Sequence, residues 1–337
     1  MLIRSVLSLL PVLVFLFSLE LIDTYKLLRL RRVLATAGVG CVVALVCYVL
    51  NTVVLGMAPA GVDTWARFGA PVLEEAGKAL YVIWLIRASR VGCMVDTAIS
   101  AFAVGAGFAV IENLFYLPTI STAALATAAV RGLGTALMHG GTTAIFGLVS
   151  VNRSEISGSQ HPLVFAPGLV IAIVIHSLYN QALLPPLTAA AALLVLLPVA
   201  FSLVFWRGEK SLEKWVGTKL DKDMDLLHMI ATGTFSESHA GKYLRSLDKT
   251  FAPALLGDML CYLQLSLDLS AQAKGDLLRR EMGFPPAPDP ELPAKLKELA
   301  YLERQFGRAG KLALNPLLGS GRRDVWELQQ LAEKPSI

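Results

Sequence analysis

The sequence has few cysteines and little charge over its first two-thirds. Four cysteines are scattered along 337 residues, and no pair has metal-site spacing, so we interpret them as small apolar side chains. Residues 1–206 contain only eleven Lys and Arg and eight Asp and Glu. The formal net charge of +4 is small and gives no reason to expect nucleic-acid binding.

Familiar protease signatures are also missing. Neither the HExxH pattern of zinc proteases nor the GxGD pattern of intramembrane aspartyl proteases occurs, and no serine or cysteine stands in a nucleophile motif. The apolar run after Arg4 ends without a small-x-small cleavage site, so we predict a retained span rather than a signal peptide. We find no repeat between the two halves, although repeats are common in transporters.

Apolar residues, in contrast, are abundant. They make up 55% of the chain, and the mean hydropathy is +0.58, which is typical of a multispanning membrane protein. We predict an all-α fold, a polytopic membrane helix bundle of about seven transmembrane helices with a C-terminal α-helical cytoplasmic region. The predicted spans are roughly 5–22, 33–56, 69–86, 95–117, 121–150, 163–184 and 187–206.

The charged residues divide the chain into a membrane domain, 1–206, and a helical cytoplasmic region, 207–337. We predict cytoplasmic helices at about 211–230, 237–249, 253–282, 293–307 and 321–333, and a proline-rich break at 283–293 that divides them. Basic residues concentrate in alternate connections and after the last span. The positive-inside rule therefore predicts that the N-terminus lies outside and that the C-terminal region is cytoplasmic. We expect a multi-pass protein of the cell inner membrane.

Four of the predicted spans carry polar groups that packing against lipid does not explain. At 1.5 Å per residue, the carboxylates of spans three and four lie about 8 Å below the outer boundary, and the two histidines about 12 Å below it. We therefore expect Glu74, Glu112, His139 and His176 to converge on one cavity. The polar residues of the four spans are Glu74, Glu75 and Lys78; Glu112 and Asn113; Arg131 and His139; and His176, Tyr179 and Asn180. Asn51 and Asp96 are interpreted as a helix–helix hydrogen bond and a helix cap.

Such groups suit hydrolysis by water. Carboxylates near imidazoles can hold and deprotonate a water molecule, and His176 and Asn180 share a helix face that could stabilise an oxyanion. Lys78 is expected to pair with a carboxylate, such as Glu74 at i,i+4, one turn from the chemistry. Arg131 is expected nearer the cavity mouth. Two alternatives stay open: a transporter or channel with a buried Glu, His and Arg pathway, and a haem-binding or sensor protein that uses the two histidines.

At these residues the chain resembles the PrsW family of intramembrane proteases, relatives of the CAAX prenyl endopeptidases and bacterial CPBP proteins. The resemblance covers about residues 5–206. It rests on an ordered set of motifs: Glu74-Glu75-x-x-Lys78, Gly107-Phe108-x-x-x-Glu112-Asn113, Arg131 with His139, and His176-x-Leu178-Tyr179-Asn180.

The resemblance implies cleavage of membrane-anchored protein substrates in the lipid bilayer near the outer face; the best-known member makes the first cut in an anti-sigma factor. It implies Glu74 as general base, Glu112 at a water-holding position, and His176 with Asn180 as the oxyanion pair. Glu75 and His139 complete the implied catalytic set, and the supporting residues are Lys78, Asn113, Arg131 and Tyr179. Whether a glutamate or a metal activates the water stays open; zinc ligands would be Glu112, His139 and His176 with Glu74 or Glu75.

Overall fold

A computed structural model describes residues 27–57, 61–116, 125–319 and 321–332, without the side chains of 125–129 and 131. The described chain is helical, so the all-α prediction is confirmed. Its contacts separate it into a membrane unit, Met1–Glu209, and a C-terminal unit, Lys210–Ile337. The predicted first span, 5–22, lies outside the described residues.

The membrane unit is built from long helices that correspond to predicted spans two to six, although α4 extends further than expected. Among the described helices, α1, α3 and α6 are long and apolar enough to cross a membrane, and α5 is a shorter apolar helix. The count of seven spans stays a prediction. The helices are α1 (Leu30–Met57), α2 (Ala70–Arg87), α3 (Met94–Tyr116), α4 (Leu125–Ser157), α5 (Ala166–Asn180) and α6 (Pro186–Ala231).

The helix of the seventh predicted span does not end near residue 206. Instead, α6 runs without interruption from Pro186 to Ala231 and includes the helix predicted at 211–230. The prediction took Arg207 and Lys210 as the end of the span, because charge marks the end of an apolar segment. Arginine and lysine are nevertheless good helix formers, so the backbone continues where the hydropathy changes.

Helix α3 is the core of the membrane unit. In its apolar window 83% of the residues are buried, and it packs against both α1 and α4. The contacts bring backbones together: a Cβ on Gly107 would overlap the carbonyl of Ala37 in α1, and a Cβ on Gly105 would overlap the carbonyl of His139 in α4. Small residues permit such close approach of membrane helices.

The start of α3 has the cap that the sequence indicates. The carboxylate of Asp96 accepts hydrogen bonds from the backbone N–H groups of Gly92, at 2.7 Å, and Cys93, at 2.9 Å. These donors precede the first turn and have no partner within the helix. The interpretation of Asp96 as a helix cap is therefore confirmed.

The contact at Gly105 leads to a prediction about α4. We expect Gly105→Ala to force α3 and α4 apart at His139, lowering both thermal stability and proteolysis, because the added methyl group meets backbone that cannot rotate away. Gly38→Ala is the matched control, since a Cβ there meets nothing within 4 Å. Thermal unfolding of both purified variants in detergent checks this. Equal melting temperatures for the two variants would show that the α3–α4 contact opens at no cost.

The C-terminal unit combines the last part of α6 with α7 (His239–Ser246), α8 (Pro253–Glu281), α9 (Leu292–Leu318) and α10 (Arg322–Ala332). The proline-rich segment at 283–293 lies between α8 and the first turn of α9, where the break in the helical region was predicted. Helices on both sides of it share one hydrophobic core, because their apolar faces pack together. Core residues include Leu244, Met259, Leu263, Leu267, Leu302, Phe306, Leu314 and Leu331.

A buried lysine joins three helices of the C-terminal unit. Lys274 on α8 is fully buried, and its Nζ donates to Asp223 of α6 at 2.9 Å and to Glu327 of α10 at 2.9 Å. Ser270, one turn earlier on α8, donates to Asp223 at 2.8 Å. We call these four residues the Lys274 cluster. Sequence spacing gave no sign of it, because its members lie far apart along the chain.

The Lys274 cluster predicts a pH-dependent stability. Burial raises the pKa of Glu327 from 4.5 to about 7, although Lys274 opposes part of this rise. Folded protein therefore keeps a proton that unfolded protein has lost, so this contribution to stability is complete below about pH 4.5 and is lost as pH rises through about 7. Burial also raises the pKa of Asp324, which acts in the same direction.

Hydrogen exchange of the α10 amides in the full-length protein, corrected for intrinsic rates, measures this effect. Protection should decrease between about pH 5 and pH 8, and Glu327→Gln should flatten the decrease, because glutamine does not titrate. The same slope in wild type and Glu327→Gln would contradict the assignment to Glu327.

Candidate active site

Polar side chains from four membrane helices meet in one cluster. Its inner members are buried, with relative exposures of 0% for Lys78 and His139 and 2% for Glu75 and His176. The carboxylates of Glu74 and Glu112 remain partly accessible, with 15% and 29% of their side-chain surface exposed, respectively. The cluster therefore has a closed interior and one accessible side. Its members are Glu74, Glu75 and Lys78 of α2, Glu112 of α3, His139 of α4 and His176 of α5.

Glu75 is held at the buried end by three donors. Its Oε1 lies 2.5 Å from Nζ of Lys78, 2.8 Å from Nδ1 of His176 and 3.2 Å from Oγ1 of Thr142. These contacts compensate a carboxylate removed from water. Lys78 pairs with a carboxylate, as expected, although the partner is Glu75 and not Glu74. Lys78 pairs at i,i+3 inside the cluster, because the donors from α4 and α5 also gather at Glu75.

The imidazole of His139 lies between a cation and a carboxylate. Its Nδ1 is 3.0 Å from Nζ of Lys78, and its Nε2 is 2.5 Å from Oε2 of Glu112. An ammonium group only donates hydrogen bonds, so Nδ1 must accept. A neutral imidazole then carries its proton on Nε2 and donates it to Glu112. This arrangement fixes both the tautomer and the orientation of the ring.

The imidazole of His176 has the opposite tautomer. Nδ1 contacts Glu75, which accepts hydrogen bonds as a carboxylate paired with Lys78, so Nδ1 carries the proton. The lone pair on Nε2 then faces Glu74, whose Oε2 is 3.9 Å away. The ring centroids of His139 and His176 are 4.8 Å apart, and the two ring planes are inclined at 87° to each other. Both histidines thus direct Nε2 toward an outer carboxylate, and this nitrogen is protonated in His139 but not in His176.

Three residues of the cluster have donor atoms suited to a metal. One donor atom each from Glu74, His139 and His176 lies within 4.8 Å of the other two. Two imidazoles and a carboxylate with an open position form a known catalytic zinc set. His176 also makes the usual outer contact, an N–H donated to a carboxylate. The residue types therefore fit a divalent ion, provided that Nε2 of His139 releases the proton that it donates to Glu112, because a protonated ring nitrogen cannot bind a metal. Glu112, which was expected among the ligands, lies outside this group and accepts from His139.

Residues 29–206 match the sequence profile of the PrsW family of intramembrane metalloproteases. The chain belongs to the PrsW family. It is an integral membrane hydrolase that acts as an intramembrane peptidase, so the resemblance to the PrsW family is confirmed and the transporter and haem-sensor alternatives are set aside. Searches of curated proteins and of solved structures gave no match.

The remaining motif residues of this PrsW protease lie around the cluster. The amide of Asn113 donates to the carbonyl of Gly132 at 3.0 Å, and the hydroxyl of Tyr179 lies against Gly134. The amide of Asn180 donates to the carbonyl of Ala66 at 2.9 Å and makes no described contact with the cluster. The side chain of Arg131 lies outside the described residues. The catalytic and supporting roles of all these residues stay predictions.

Asn51 is a functional candidate that the sequence only partly revealed. The interpretation as a helix–helix hydrogen bond is confirmed, since Nδ2 of Asn51 on α1 donates to Oε1 of Glu74 on α2 at 3.2 Å. Its Oδ1 in turn accepts from the indole of Trp65 at 3.0 Å. The sequence signal for a functional role of Asn51 was a polar amide side chain within an apolar span. The identity of its partner was hidden, because it depends on how α1 packs against α2.

Proposed function

We propose that this protease hydrolyses a peptide bond of a membrane-anchored protein with water, at the accessible side of the cluster. The observation that carries the proposal is the convergence of carboxylates and imidazoles from four membrane helices. Ionisable side chains are costly inside a membrane and commonly mark functional sites. The partly accessible side chains of Glu74 and Glu112 mark where water and substrate would meet.

In the glutamate-only alternative, without a bound metal, Glu74 is the proposed general base. Its described partners are the amide of Asn51 and the imidazole of His176, whereas Glu75 is paired with the ammonium of Lys78. A carboxylate without a bound cation is the better acceptor for a proton from water. Glu75 and Lys78 have the proposed task of holding His176 and His139 in their orientations.

Asn180 is proposed to stabilise the oxyanion that forms when water attacks the carbonyl. An amide nitrogen has two N–H groups, and Ala66 accepts from one of them. His176 is less suited to this task than the resemblance implied, because its Nε2 carries no proton in the tautomer set by Glu75. We therefore propose His176 as a metal ligand.

Glu74, His139 and His176 are the residues that would hold a divalent metal, with zinc the ion that suits this donor set. Such an ion would lower the pKa of a nearby water molecule toward neutrality and so make that water a better nucleophile. Glu112, at the accessible side, is then the carboxylate left to take up the proton. Elemental analysis should find zinc in purified wild-type protein and less in His176→Ala. Full activity after chelation and complete zinc removal would favour the glutamate-only alternative.

Proteomics of membrane fragments tests the proposed reaction. Cells with wild-type protein should contain fragments of single-span membrane proteins that are absent with Glu74→Gln. Thr52→Val is the matched control, because its exposed hydroxyl bonds only within α1, at Tyr48. An anti-sigma factor is one candidate substrate, which the resemblance suggests, and its fragments would identify a site-1 cut. Identical fragments with wild type and Glu74→Gln would contradict the proposal.

The orientation of the chain gives a separate prediction. A reporter fused after Ile337 should score as cytoplasmic, and one inserted between Pro185 and Pro186 should score as external, because basic residues concentrate in the connections assigned to the inside. Alkaline phosphatase and green fluorescent protein fusions measure the two locations. The reverse result would place the cluster in the cytoplasmic half of the membrane and remove the basis for a cut near the outer face.

A further inference from the structure

We propose that Asn51 and Trp65 are positioning residues that fix the carboxylate of Glu74 through a chain of two hydrogen bonds. The indole Nε1 of Trp65 donates to Oδ1 of Asn51 at 3.0 Å, and Nδ2 of Asn51 donates to Oε1 of Glu74 at 3.2 Å. This inference rests on the proposed role of Glu74 in catalysis.

The chemistry of Trp65 determines which end of the Asn51 amide faces Glu74. An indole N–H can only donate, so the amide oxygen must point to Trp65. The amide nitrogen is then left to donate to the carboxylate. Without Trp65, the amide could rotate by 180° and present its oxygen to Glu74, which would repel the carboxylate instead of holding it. Trp65 therefore acts on Glu74 through Asn51.

Trp65 is itself fixed by an unusual turn. It begins the π-helical turn Trp65–Gly69, whose wide bond runs from the N–H of Ala70 to the carbonyl of Trp65. The indole ring lies over Gly69, where a Cβ would overlap it. On the other side, Asn180 of α5 donates to the carbonyl of Ala66. The turn is thus tied to α1 and α5, and π-helical turns occur frequently at functional sites.

Glu74 needs such support more than its neighbour does. Glu75 has three donors, whereas Asn51 is the side chain that donates a hydrogen bond to Glu74 among the described residues. The next contact, to His176, is 3.9 Å long. A glutamate has several rotatable bonds, and a catalytic group must be held to within about 0.5 Å to act. Removing Asn51 should therefore leave Glu74 in the site but badly oriented.

Cleavage kinetics of the purified variants test the chain. The substrate is a purified single-span protein whose fragments disappear with Glu74→Gln. We expect Asn51→Leu to lower kcat by about 10- to 100-fold, the usual range for an outer hydrogen-bond partner, with KM nearly unchanged. Trp65→Phe keeps the ring over Gly69 but removes the N–H, and should lower kcat by about fivefold.

The double variant separates positioning from packing. If Trp65 acts through Asn51, adding Trp65→Phe to Asn51→Leu should cause no further loss, whereas independent effects would multiply. Multiplying effects, or losses confined to KM or to the yield of folded protein, would overturn the inference. Trp84→Phe is the control for indole loss, because Trp84 stacks on Tyr81 at the exposed face of α2.

The outcomes also separate this inference from the proposed function. If Glu74→Gln is inactive while Asn51→Leu retains the wild-type kcat, the positioning chain is wrong and the proposed function stands. If Glu74→Gln retains wild-type cleavage, the proposed function fails, and this inference fails with it.

Discussion

Glu74→Gln is expected to abolish proteolysis in normally folded protein, whereas Glu75→Gln is expected to reduce the amount of folded protein first. The two glutamates are adjacent, but their surroundings differ. Glu74 is partly accessible and accepts one hydrogen bond, from Asn51, that a glutamine oxygen can also accept. Glu75 is buried and balances the charge of Lys78. The same chemical change therefore acts on catalysis at one position and on stability at the next.

The expected magnitudes follow from these roles. Loss of a general base typically lowers the rate by about 100- to 10,000-fold. Loss of one partner from a buried ion pair costs about 3–5 kcal/mol, because the other charge remains buried without compensation. Glu75→Gln would leave the ammonium group of Lys78 as such an uncompensated buried charge. The double variant Glu75→Gln with Lys78→Met should regain folded protein, because no buried charge is left unpaired.

Cleavage assays and thermal unfolding of the same purified samples distinguish the two effects. Glu74→Gln should match the wild-type melting temperature without detectable product. Glu75→Gln should melt lower, and its double variant with Lys78→Met should recover most of the difference yet stay inactive, because His139 and His176 lose their fixed partners. A Glu75→Gln protein that melts like wild type would show that Lys78 does not depend on this carboxylate.

Lys274→Met is expected to cause a similarly large loss of stability in the C-terminal unit. The substitution leaves Asp223 and Glu327 buried without the ammonium group that joins them. Breaking such a pair costs about 3–5 kcal/mol, which is a large fraction of the stability of a domain of this size. Since the cluster connects α6, α8 and α10, we expect α10 to lose its protection first.

Hydrogen exchange of the full-length protein measures this loss helix by helix. Lys297→Met on α9 is the matched control, because Lys297 is exposed and surface charges contribute little. Lys274→Met combined with Glu327→Leu should recover part of the protection, since one buried carboxylate is removed together with its cation. Wild-type protection of α10 in Lys274→Met would show that apolar packing holds this helix without the cluster.

The sequence predicted the membrane helices well because apolar runs are a local property. The ends of α1 to α5 lie close to the predicted spans for the most part, and Glu74, Glu112, His139 and His176 meet in one cluster, as expected. Local rules failed where the apolar segment and the helix end at different residues. At Arg207 the hydropathy changes while the helix continues, so a span boundary was mistaken for a helix end.

Pairings within the site could not be predicted, because they depend on packing between helices. Helical spacing allowed Lys78 to reach either Glu74 or Glu75. Thr142 and His176, contributed by other helices, decide in favour of Glu75. The partner of Asn51 was hidden for the same reason. Spacing along one helix restricts the possible pairs, and the neighbouring helices select among them.

The backbone contacts of α3 also determine which half of the site can adjust to a substrate. At Gly105 no side chain separates α3 from α4, and Asn113 bridges the same two helices. We therefore expect Glu112 and His139 to move together, since backbone meets backbone where the two helices cross at Gly105. Glu74 and His176 stand on helices tied by exchangeable side-chain hydrogen bonds. Any induced fit to a substrate peptide should consequently be carried by α2 and α5, with the α3–α4 pair as the fixed reference frame.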